Sequence, residues 1–332
     1  KNEGLLFPEE MNETLDGRER FKVSYELIEN KMNIRIVGSD KLGVIYGLYH
    51  ISKICGVSPW HYFGDVKTMP RDEVYVDSSD LTYESKEPKI KLRGFFLNDE
   101  WPSLGNWVHS TFGGFNELFY EKVFDLLLRL KGNFLWPAMW TGIFSDDGKA
   151  FPTASAELAD ELGITMGTSH HEPLYRAGEE FTYLMTDSND VGYGKDWSFY
   201  TNERGLTEFW DASCKRNKDY KSLITIGIRG ERDSMILGED ATMKDNIDLL
   251  KKTILAQKQI LKDNGLQDAP KVLALYKEVE PYFYGDKHTK GLMGSKELDN
   301  VILMLCDDNH GNLRTVPTEK MRKHKGGYGM YY

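Results

Sequence analysis

The sequence predicts an α/β protein in which a small N-terminal α/β domain, residues 1–88, precedes a (β/α)8 TIM-barrel domain, residues 89–332. Two observations lead to this prediction. Short apolar strands alternate with amphipathic helices from Ile90 onward, which is typical of parallel βα units. Polar residues also follow six consecutive predicted strands. An open doubly wound sheet shows such residues only near its switch point, whereas all strands of a barrel end at one mouth.

The first 88 residues have the pattern of a small α/β unit. Two strands are predicted around a polar turn, Phe21–Ile28 and Met32–Val37. Met32, Ile34 and Ile36 alternate, which predicts one half-buried face. Asp40 is the expected N-cap of the following helix, and Gly56 is its expected stop. The polar segment Pro70–Pro88, which carries several acidic residues, is interpreted as a linker.

The remaining chain repeats strand, polar loop and helix. The predicted strands are Leu92–Leu97, Phe134–Trp136, Ile164–Met166, Leu223–Gly227, Val272–Leu275, Val301–Leu305 and Gly329–Tyr332. The predicted helices are Asn116–Lys131, Ala154–Leu162 and Asp240–Asn264. The interval after His171 is expected to be an extended loop over the mouth, with aromatic residues such as Tyr193, Trp197 and Tyr200. No eighth strand follows, so we expect a fragment of a longer protein or an unusually completed barrel.

The bulk properties exclude several classes of partner. A net charge of −10 argues against a nucleic-acid backbone, which binds to basic faces. No apolar run approaches the roughly 18 residues that span a bilayer, so no membrane partner is expected. The three cysteines, Cys55, Cys214 and Cys306, lie far apart and are interpreted as core thiols. The chain begins without an apolar signal-peptide core.

Carboxylates are the main candidates for chemistry. The acidic residues that follow predicted strands are Asp99, Glu100, Glu172, Glu231, Asp233, Glu278, Asp307 and Asp308. A barrel would collect them around one mouth. One protonated and one ionised carboxyl group are what glycoside hydrolysis requires. The alternative for any one of them is a solvated turn or cap.

Two adjacent histidines, His170 and His171, follow the third barrel strand. Neighbouring residues point in different directions, and the sequence has no HExxH motif and no further His or Cys at ligand spacing. We therefore expect no metal, with a structural ion as the alternative. The histidines are expected to bind a sugar hydroxyl or orient a carboxylate. Gly227-x-x-Gly230 is too short for a dinucleotide fingerprint, and no nucleotide cofactor is expected.

Aromatic and cationic residues supply candidates for substrate binding. Trp136 and Trp140 flank Pro137 just past a strand, so one or both are expected to stack on a sugar ring, with core packing as the alternative. Arg229 is the candidate for gripping an anionic group, because a guanidinium binds a carboxylate through two parallel hydrogen bonds. The alternative is that Arg229 only pairs with a neighbouring acid, Glu231 or Asp233. Further cations nearby are Arg232, Lys277 and Arg314.

Seven segments in order carry a family resemblance. They are GFFLNDEW (Gly94–Trp101), LLLRLKGNFLWPAMW (Leu126–Trp140), LADELGITMGTSHHEP (Leu158–Pro173), TIGIRGERD (Thr225–Asp233), LYKEV (Leu275–Val279), LCDDNHGN (Leu305–Asn312) and GGYGMYY (Gly326–Tyr332). Together they resemble glycoside hydrolase family 115, the xylan α-1,2-glucuronidases. The resemblance implies a catalytic TIM barrel after a small α/β domain, with further C-terminal domains outside this sequence. It also implies inverting, cofactor-free removal of glucuronic acid or its 4-O-methyl ether from xylan.

The resemblance also implies a set of site residues. The family's essential acidic and histidine positions fall on the Asn98-Asp99-Glu100 motif, His170-His171, Asp233 or Glu231, Glu278, and Asp307-Asp308. The expected acid is Asp233 or, second, Glu231; the expected base is Glu278, Asp307 or Asp308. The expected substrate-binding residues are Asn98, Asp99, Trp136, Trp140, His170, His171, Glu172, Arg229, Lys277 and Asn309. Gly230-Glu231-Arg232-Asp233 departs from the family's usual Gly-Asp-Gly-Asp, which puts the local geometry in question.

The expected partner is glucuronoxylan or its oligosaccharides. A polysaccharide substrate favours a secreted or periplasmic parent protein, and the resemblance allows a homodimer formed through C-terminal domains. Two other functions remain open at this point. One is a carbohydrate-binding remnant without turnover. The other is a barrel glycosidase of different specificity, similar to an N-acetylhexosaminidase, which would use the adjacent pair Asp99-Glu100.

Overall fold

The computed structural model describes residues 14–64, 68–98, 101–186, 192–231 and 234–332. The described chain is α/β and forms two compact units. The first comprises the described parts of Lys1–Gly94, Tyr120–Phe134 and Glu161–Ile164, and the second the described parts of Phe95–Phe119, Leu135–Asp160 and Thr165–Tyr332. The sequence-based division at residue 88 stays a prediction. None of the described helices is long and apolar enough to cross a membrane.

The first unit is built on a three-stranded antiparallel sheet of order β2-β1-β3. Its strands are β1 (Phe21–Ile28), β2 (Lys31–Gly38) and β3 (Tyr83–Glu84). Helix α1 (Lys41–Ile54) begins where Asp40 Oδ1 accepts a hydrogen bond of 2.8 Å from Gly43 N. Gly56 has a φ of 87° just beyond its end, a conformation that suits glycine. Both strand predictions, the cap and the stop are confirmed.

Two expectations for this unit are wrong in detail. Met32 and Ile34 are 51% and 44% exposed, so the face that they share is largely solvated. The predicted linker contributes strand β3, whose Tyr83 pairs with Val23 of β1. A polar segment can join a sheet in this way because the ladder uses only backbone groups.

Beyond residue 90 the described chain alternates strands and helices. The elements are β4 (Gly94–Phe96), α2 (Leu104–Phe112), α3 (Glu117–Arg129), β5 (Phe134–Trp136), α4 (Ala154–Glu161), β6 (Thr165–Met166), α5 (Gly178–Thr186), α6 (Glu203–Asn217), β7 (Ile224–Thr225), α7 (Met243–Asp263), β8 (Lys271–Leu275), α8 (Val279–Tyr284), β9 (Val301–Cys306) and β10 (Tyr328–Tyr331). All seven predicted strands are present, although β4, β6 and β7 are shorter than expected.

The strands are ordered in space as they are in sequence. One sheet has the order β4-β5-β6, and a parallel sheet has the order β7-β8-β9-β10. A parallel bridge between Met166 and Ser222 links the end of β6 to the residues just before β7. Leu275 pairs with Leu305, and Leu305 pairs with Met330. This register brings the residues that follow β8, β9 and β10 to one edge.

The interval between β6 and β7 is not the extended loop that the sequence suggested. It contains helices α5 and α6, and Phe209 and Trp210 of α6 lie in the hydrophobic core. Trp197 packs partly buried against the same core, whereas Tyr200 is exposed. Helices α2 and α8 were also not expected.

Helix α7 covers the parallel sheet with the predicted apolar stripe. Leu250, Ile254, Gln257 and Leu261 are all buried, as their spacing indicated. Of the three thiols, Cys214 and Cys306 are buried as expected, while Cys55 is only half-buried. Burial raises the pKa of the Cys214 and Cys306 thiols to about 12.

A buried network of charged side chains joins α5 to α6. Glu180 of α5 and Arg176 are both fully buried, and Arg176 Nη2 donates to Glu180 Oε1 at 3.0 Å. Arg216 of α6 donates to the same oxygen at 2.6 Å and to Asp147 Oδ1 at 2.9 Å. The guanidinium of Arg176 also lies 4.1 Å from the ring centre of Phe209. Two cations thus share one buried carboxylate, with Asp147 as a second, more exposed acid.

Candidate active site

An ion pair at the ends of β7 and β8 forms the centre of the site. Arg229, which is 2% exposed, meets Glu278 through two hydrogen bonds of 2.8 Å, from Nε to Oε1 and from Nη2 to Oε2. This is the bidentate fork that a guanidinium and a carboxylate form. The fork joins two loops 49 residues apart in the sequence. The sequence led us to expect Arg229 to bind an anionic substrate group or, as the alternative, to pair with Glu231 or Asp233; in the structure its fork is taken by Glu278.

Tyr276 lies between this ion pair and the two histidines. The Arg229 guanidinium is 5.2 Å from the centre of the Tyr276 ring, and Lys277 Nζ is also 5.2 Å from it. The His170 ring packs on two neighbouring rings: its centroid lies 4.3 Å from that of Tyr276 and 5.0 Å from that of His171. Aromatic and cationic groups therefore lie close to the Arg229–Glu278 pair. No specific sequence pattern indicated Tyr276 beyond its place after a strand.

Burial sets the charge state of the two imidazoles. It lowers the pKa of His170 to about 3, with the nearby Arg229 and Lys277 cations lowering it further. The pKa of His171 is also lowered to about 3, by burial first and then by His170 and Arg229. His171 Nδ1 is buried and has no hydrogen-bond partner among the described residues. Both rings are thus neutral at ordinary pH and offer a donor or an acceptor instead of a charge.

We expect the NMR chemical shifts of the His170 and His171 imidazoles to stay constant between pH 8 and pH 5. The variants His170→Gln and His171→Gln assign the two sets of signals. Because both pKa values are depressed below the unfolded value, the unfolded chain binds more protons between about pH 6.5 and pH 3. The free energy of unfolding should therefore fall as the pH is lowered through this window. Titration of either ring near pH 6.5 would contradict its buried, neutral state.

A cavity of about 230 Å³ has His171 in its wall. Two indoles, Trp140 and Trp197, line it together with the charged side chains of Lys195 and Glu231. The rings of Trp140 and His171 are 5.3 Å apart, and Trp140 Nε1 donates to Asn98 Oδ1 at 3.2 Å. Helix α5 also contributes to the wall. The cavity therefore combines aromatic faces with one cation and with carboxylates.

The two acids after β9 are held in a tight turn. Asp307 accepts hydrogen bonds from Asn309 N at 3.2 Å and from Gly311 N at 3.0 Å, one on each oxygen. Asp308 accepts bonds from His310 N and from the backbone and side chain of Asn312. The Asn312 side chain, followed by these backbone bonds, lowers the pKa of Asp308 to about 2. Both carboxylates thus stabilise the loop in which they lie.

The other expected site residues lie around these groups. Trp136 is buried against Phe96 and Tyr331, with centroid distances of 5.7 and 5.8 Å. Glu172 is buried, and its Oε2 accepts a 3.1 Å hydrogen bond from Ser169 N. Asn309 is exposed and donates through Nδ2 to the Tyr276 hydroxyl at 3.3 Å. Asp99, Glu100, Arg232 and Asp233 lie outside the described residues.

Sequence reasoning also missed Lys195 and placed Trp197 in an extended loop over the mouth. The Trp197 indole donates a 3.1 Å hydrogen bond to the Arg229 carbonyl, so it anchors the backbone of the ion pair as well as lining the cavity. No motif surrounds either residue that would have indicated these contacts. Among the described residues, no three His, Cys, Asp or Glu side chains lie close enough together to hold a metal ion.

Two comparisons with known proteins, one of sequence and one of structure, indicate the same family. The sequence profile of glycosyl hydrolase family 115 matches residues 85–332. The structure of BtGH115A, a family 115 4-O-methyl-α-glucuronidase with specificity for decorated arabinogalactans, is similar with a TM-score of 0.76 and 28% identity. That match covers 97% of this chain and 40% of BtGH115A, so this chain spans less than half of that relative's length. No curated protein matches the chain at a significant level.

More distant structures were also found. One is a family 89 glycoside hydrolase from Clostridium perfringens in complex with 2-acetamido-1,2-dideoxynojirmycin, with a TM-score of 0.46 and 13% identity, covering 96% of this chain and 43% of that one. A second structure from the same organism, in complex with GlcNAc-α-1,4-galactose, has a TM-score of 0.48 with the same identity and coverage.

Proposed function

Because the chain belongs to glycosyl hydrolase family 115, we propose that it hydrolyses the bond that attaches α-linked glucuronic acid, or its 4-O-methyl ether, to a polysaccharide. The observation that carries this proposal is the Arg229–Glu278 fork together with the cavity lined by Trp140, His171 and Glu231. The similarity to a 4-O-methyl-α-glucuronidase supports the choice of sugar.

We further propose that the second unit is built as a (β/α)8 barrel. The consecutive order of strands β4 to β10 supports this, because a doubly wound sheet reverses its order at a switch point. The rings of Phe96 in β4 and Tyr331 in β10 lie 6.0 Å apart, so the first and last strands of this series approach each other. In such a barrel the loops after β7, β8 and β9 would face one mouth.

In the proposed inverting mechanism, Asp233 or Glu231 protonates the glycosidic oxygen and Glu278 activates water on the opposite face. Glu231 lines the cavity, which supports a role next to the substrate. We favour Glu278 over Asp307 and Asp308 as base because both aspartates are bonded within their own turn, whereas Glu278 is held by Arg229 beside the Tyr276 ring. Each Glu278 oxygen accepts one bond from Arg229 and keeps a second lone pair for water. An inverting acid and base lie roughly 6.5–9.5 Å apart.

Substrate binding is proposed to use the neutral and cationic side chains of the cavity. Trp140 offers a face for a sugar ring, and His171 offers Nδ1, whose hydrogen-bonding capacity is otherwise unused among the described residues. Lys277, which is exposed and whose Nζ lies 5.2 Å from the centre of the Tyr276 ring, supplies positive charge for the uronate carboxylate. The cavity is smaller than the roughly 300–1,000 Å³ of drug-sized pockets, which suits a single sugar unit.

The polymer that carries the uronic acid is proposed to be glucuronoxylan with an α-1,2 linkage. Decorated arabinogalactan is the second candidate, because the similar structure is of an enzyme specific for it.

Proton NMR of the protein with 4-O-methylglucuronoxylan, and in parallel with decorated arabinogalactan, tests the proposal. We expect the β-anomer of the uronic acid to appear first, because inversion of an α-linkage releases β. First appearance of the α-anomer would keep the activity and overturn the inverting mechanism. If neither polymer released uronic acid, the proposed activity would be overturned. Heat-treated protein serves as the blank.

A further inference from the structure

We propose that Gln257 is a positioning residue for this reaction: from helix α7 it fixes the backbone that carries Arg229 and thereby the geometry of the Arg229–Glu278 pair. The inference rests on the proposed function for its kinetic consequence. Its structural basis is independent of that function. The contact that carries it joins the Gln257 amide to both backbone groups of Gly227.

The Gln257 side chain forms a closed pair of hydrogen bonds with one residue. Its Oε1 accepts a bond of 2.7 Å from Gly227 N, and its Nε2 donates a bond of 2.8 Å to Gly227 O. Gln257 is fully buried, in line with Leu250, Ile254 and Leu261 on the face of α7 that covers the sheet. An amide at an otherwise apolar position is costly unless it is fully bonded, and here both of its polar atoms are used.

Gly227 needs these bonds because the strand leaves the sheet there. The last bond between the β7 segment and β8 runs from Ile226 N to Val272 O, at 2.9 Å. Gly227 then adopts a φ of 95°, which an L-residue rarely adopts, and a Cβ at this position would lie 2.7 Å from Leu273 Cδ1. The backbone groups of Gly227 are buried, so a side chain has to replace the lost ladder partners.

The position of Gly227 is transmitted directly to the ion pair. Only Ile228, itself buried, separates it from Arg229. At the other end of this short segment, the Arg229 carbonyl accepts the bond from Trp197 Nε1. Gln257 and Trp197 thus hold the segment at both ends while the Arg229 side chain reaches Glu278. A shift of about 1 Å at a reacting group lowers a rate by as much as about 100-fold.

The test replaces Gln257 by methionine, which has a similar length and shape but forms neither bond. We expect Gln257→Met to lower kcat per folded molecule by about 10- to 100-fold on the uronosyl substrate, with a smaller change in KM. Thr253→Val is the matched control. Thr253 is equally buried one turn earlier on α7, and its hydroxyl donates to the Leu249 carbonyl of its own helix and to no other group among the described residues. The control should keep kcat within about 2-fold of the wild type.

Equal kcat values for Gln257→Met and the wild type would overturn the proposal and leave Gln257 with a stabilising role only. If Gln257→Met does not fold, Gln257→Glu takes its place and is assayed at a pH at which the new carboxyl group is ionised, because the carboxylate keeps the acceptor for Gly227 N and has no donor for Gly227 O. It should lower kcat with KM nearly unchanged, and a wild-type kcat would count against positioning.

Crystal structures of the wild type and the variant separate this inference from the proposed function. A displaced Arg229 guanidinium in the variant would support the positioning role, whether or not the protein turns over a uronoside. A lack of turnover by the wild type would overturn only the proposed activity. An Arg229–Glu278 fork with both bonds unchanged at 2.8 Å would overturn the positioning role whatever the activity.

Discussion

The Glu278→Gln variant should lose about 100- to 10,000-fold in kcat on the uronosyl substrate, the range expected when a general base is removed. A glutamine cannot accept the proton from the attacking water, whereas its size and its place beside Arg229 are nearly the same. Substrate affinity, measured by calorimetry with the released uronic acid or an oligosaccharide, should change much less than kcat.

Glu280→Gln is the matched control for this variant. Glu280 lies two residues further on, its side chain is 12% exposed like that of Glu278, and it pairs with Arg314 at 3.0 Å. The same chemical change should therefore leave kcat within about 2-fold. If Glu278→Gln kept wild-type kcat, Glu278 would not be the base, and Asp307→Asn and Asp308→Asn would be the next variants to measure.

The second large effect concerns stability. Glu180→Gln should lower the free energy of unfolding by about 3–5 kcal/mol, because removing one partner of a buried ion pair leaves the opposite charge buried with less compensation. Here both Arg176 and Arg216 would lose their shared carboxylate while remaining buried. Asp147, whose side chain is 39% exposed, would remain beside the two arginines. Urea unfolding followed by circular dichroism measures the change.

Glu208→Gln provides the comparison for that measurement. Glu208 pairs with Arg204 one turn away on helix α6, at 2.8 Å, and both side chains are exposed. Exposed pairs of this kind contribute about 0.5 kcal/mol or less. Similar losses for the two variants would mean that water reaches the Glu180 carboxylate, contrary to the complete burial of this side chain.

The sequence indicated the parts of the fold that have a local cause. The Asp40 cap, the Gly56 stop and the stripe of α7 depend on neighbours within a few residues, so spacing alone predicted them. Helix α6 was missed because its buried face includes Gly205, Ser213 and Asn217 among the apolar residues. These small and polar positions interrupt the apolar pattern that indicates a helix.

The site was predictable as a set of residues but not as a set of contacts. Residues after strands were expected at one edge, and the register of β8 with β9 brings Tyr276, Glu278 and Asp307 there. The fork between Arg229 and Glu278 depends on how two strands are aligned, which spacing along the chain does not encode. In the same way, only the folded turn reveals that backbone amides bind both oxygens of Asp307.

The three thiols give each compact unit its own chemical reporter. The thiolate is the reactive form, so the raised pKa and burial of Cys214 and Cys306 make both slow to alkylate in the native state. Cys55, half-buried after α1, should be labelled first, and it belongs to the first unit, whereas the two slow thiols belong to the second. Labelling followed by peptide mass spectrometry would therefore time the opening of each unit separately, without any engineered probe.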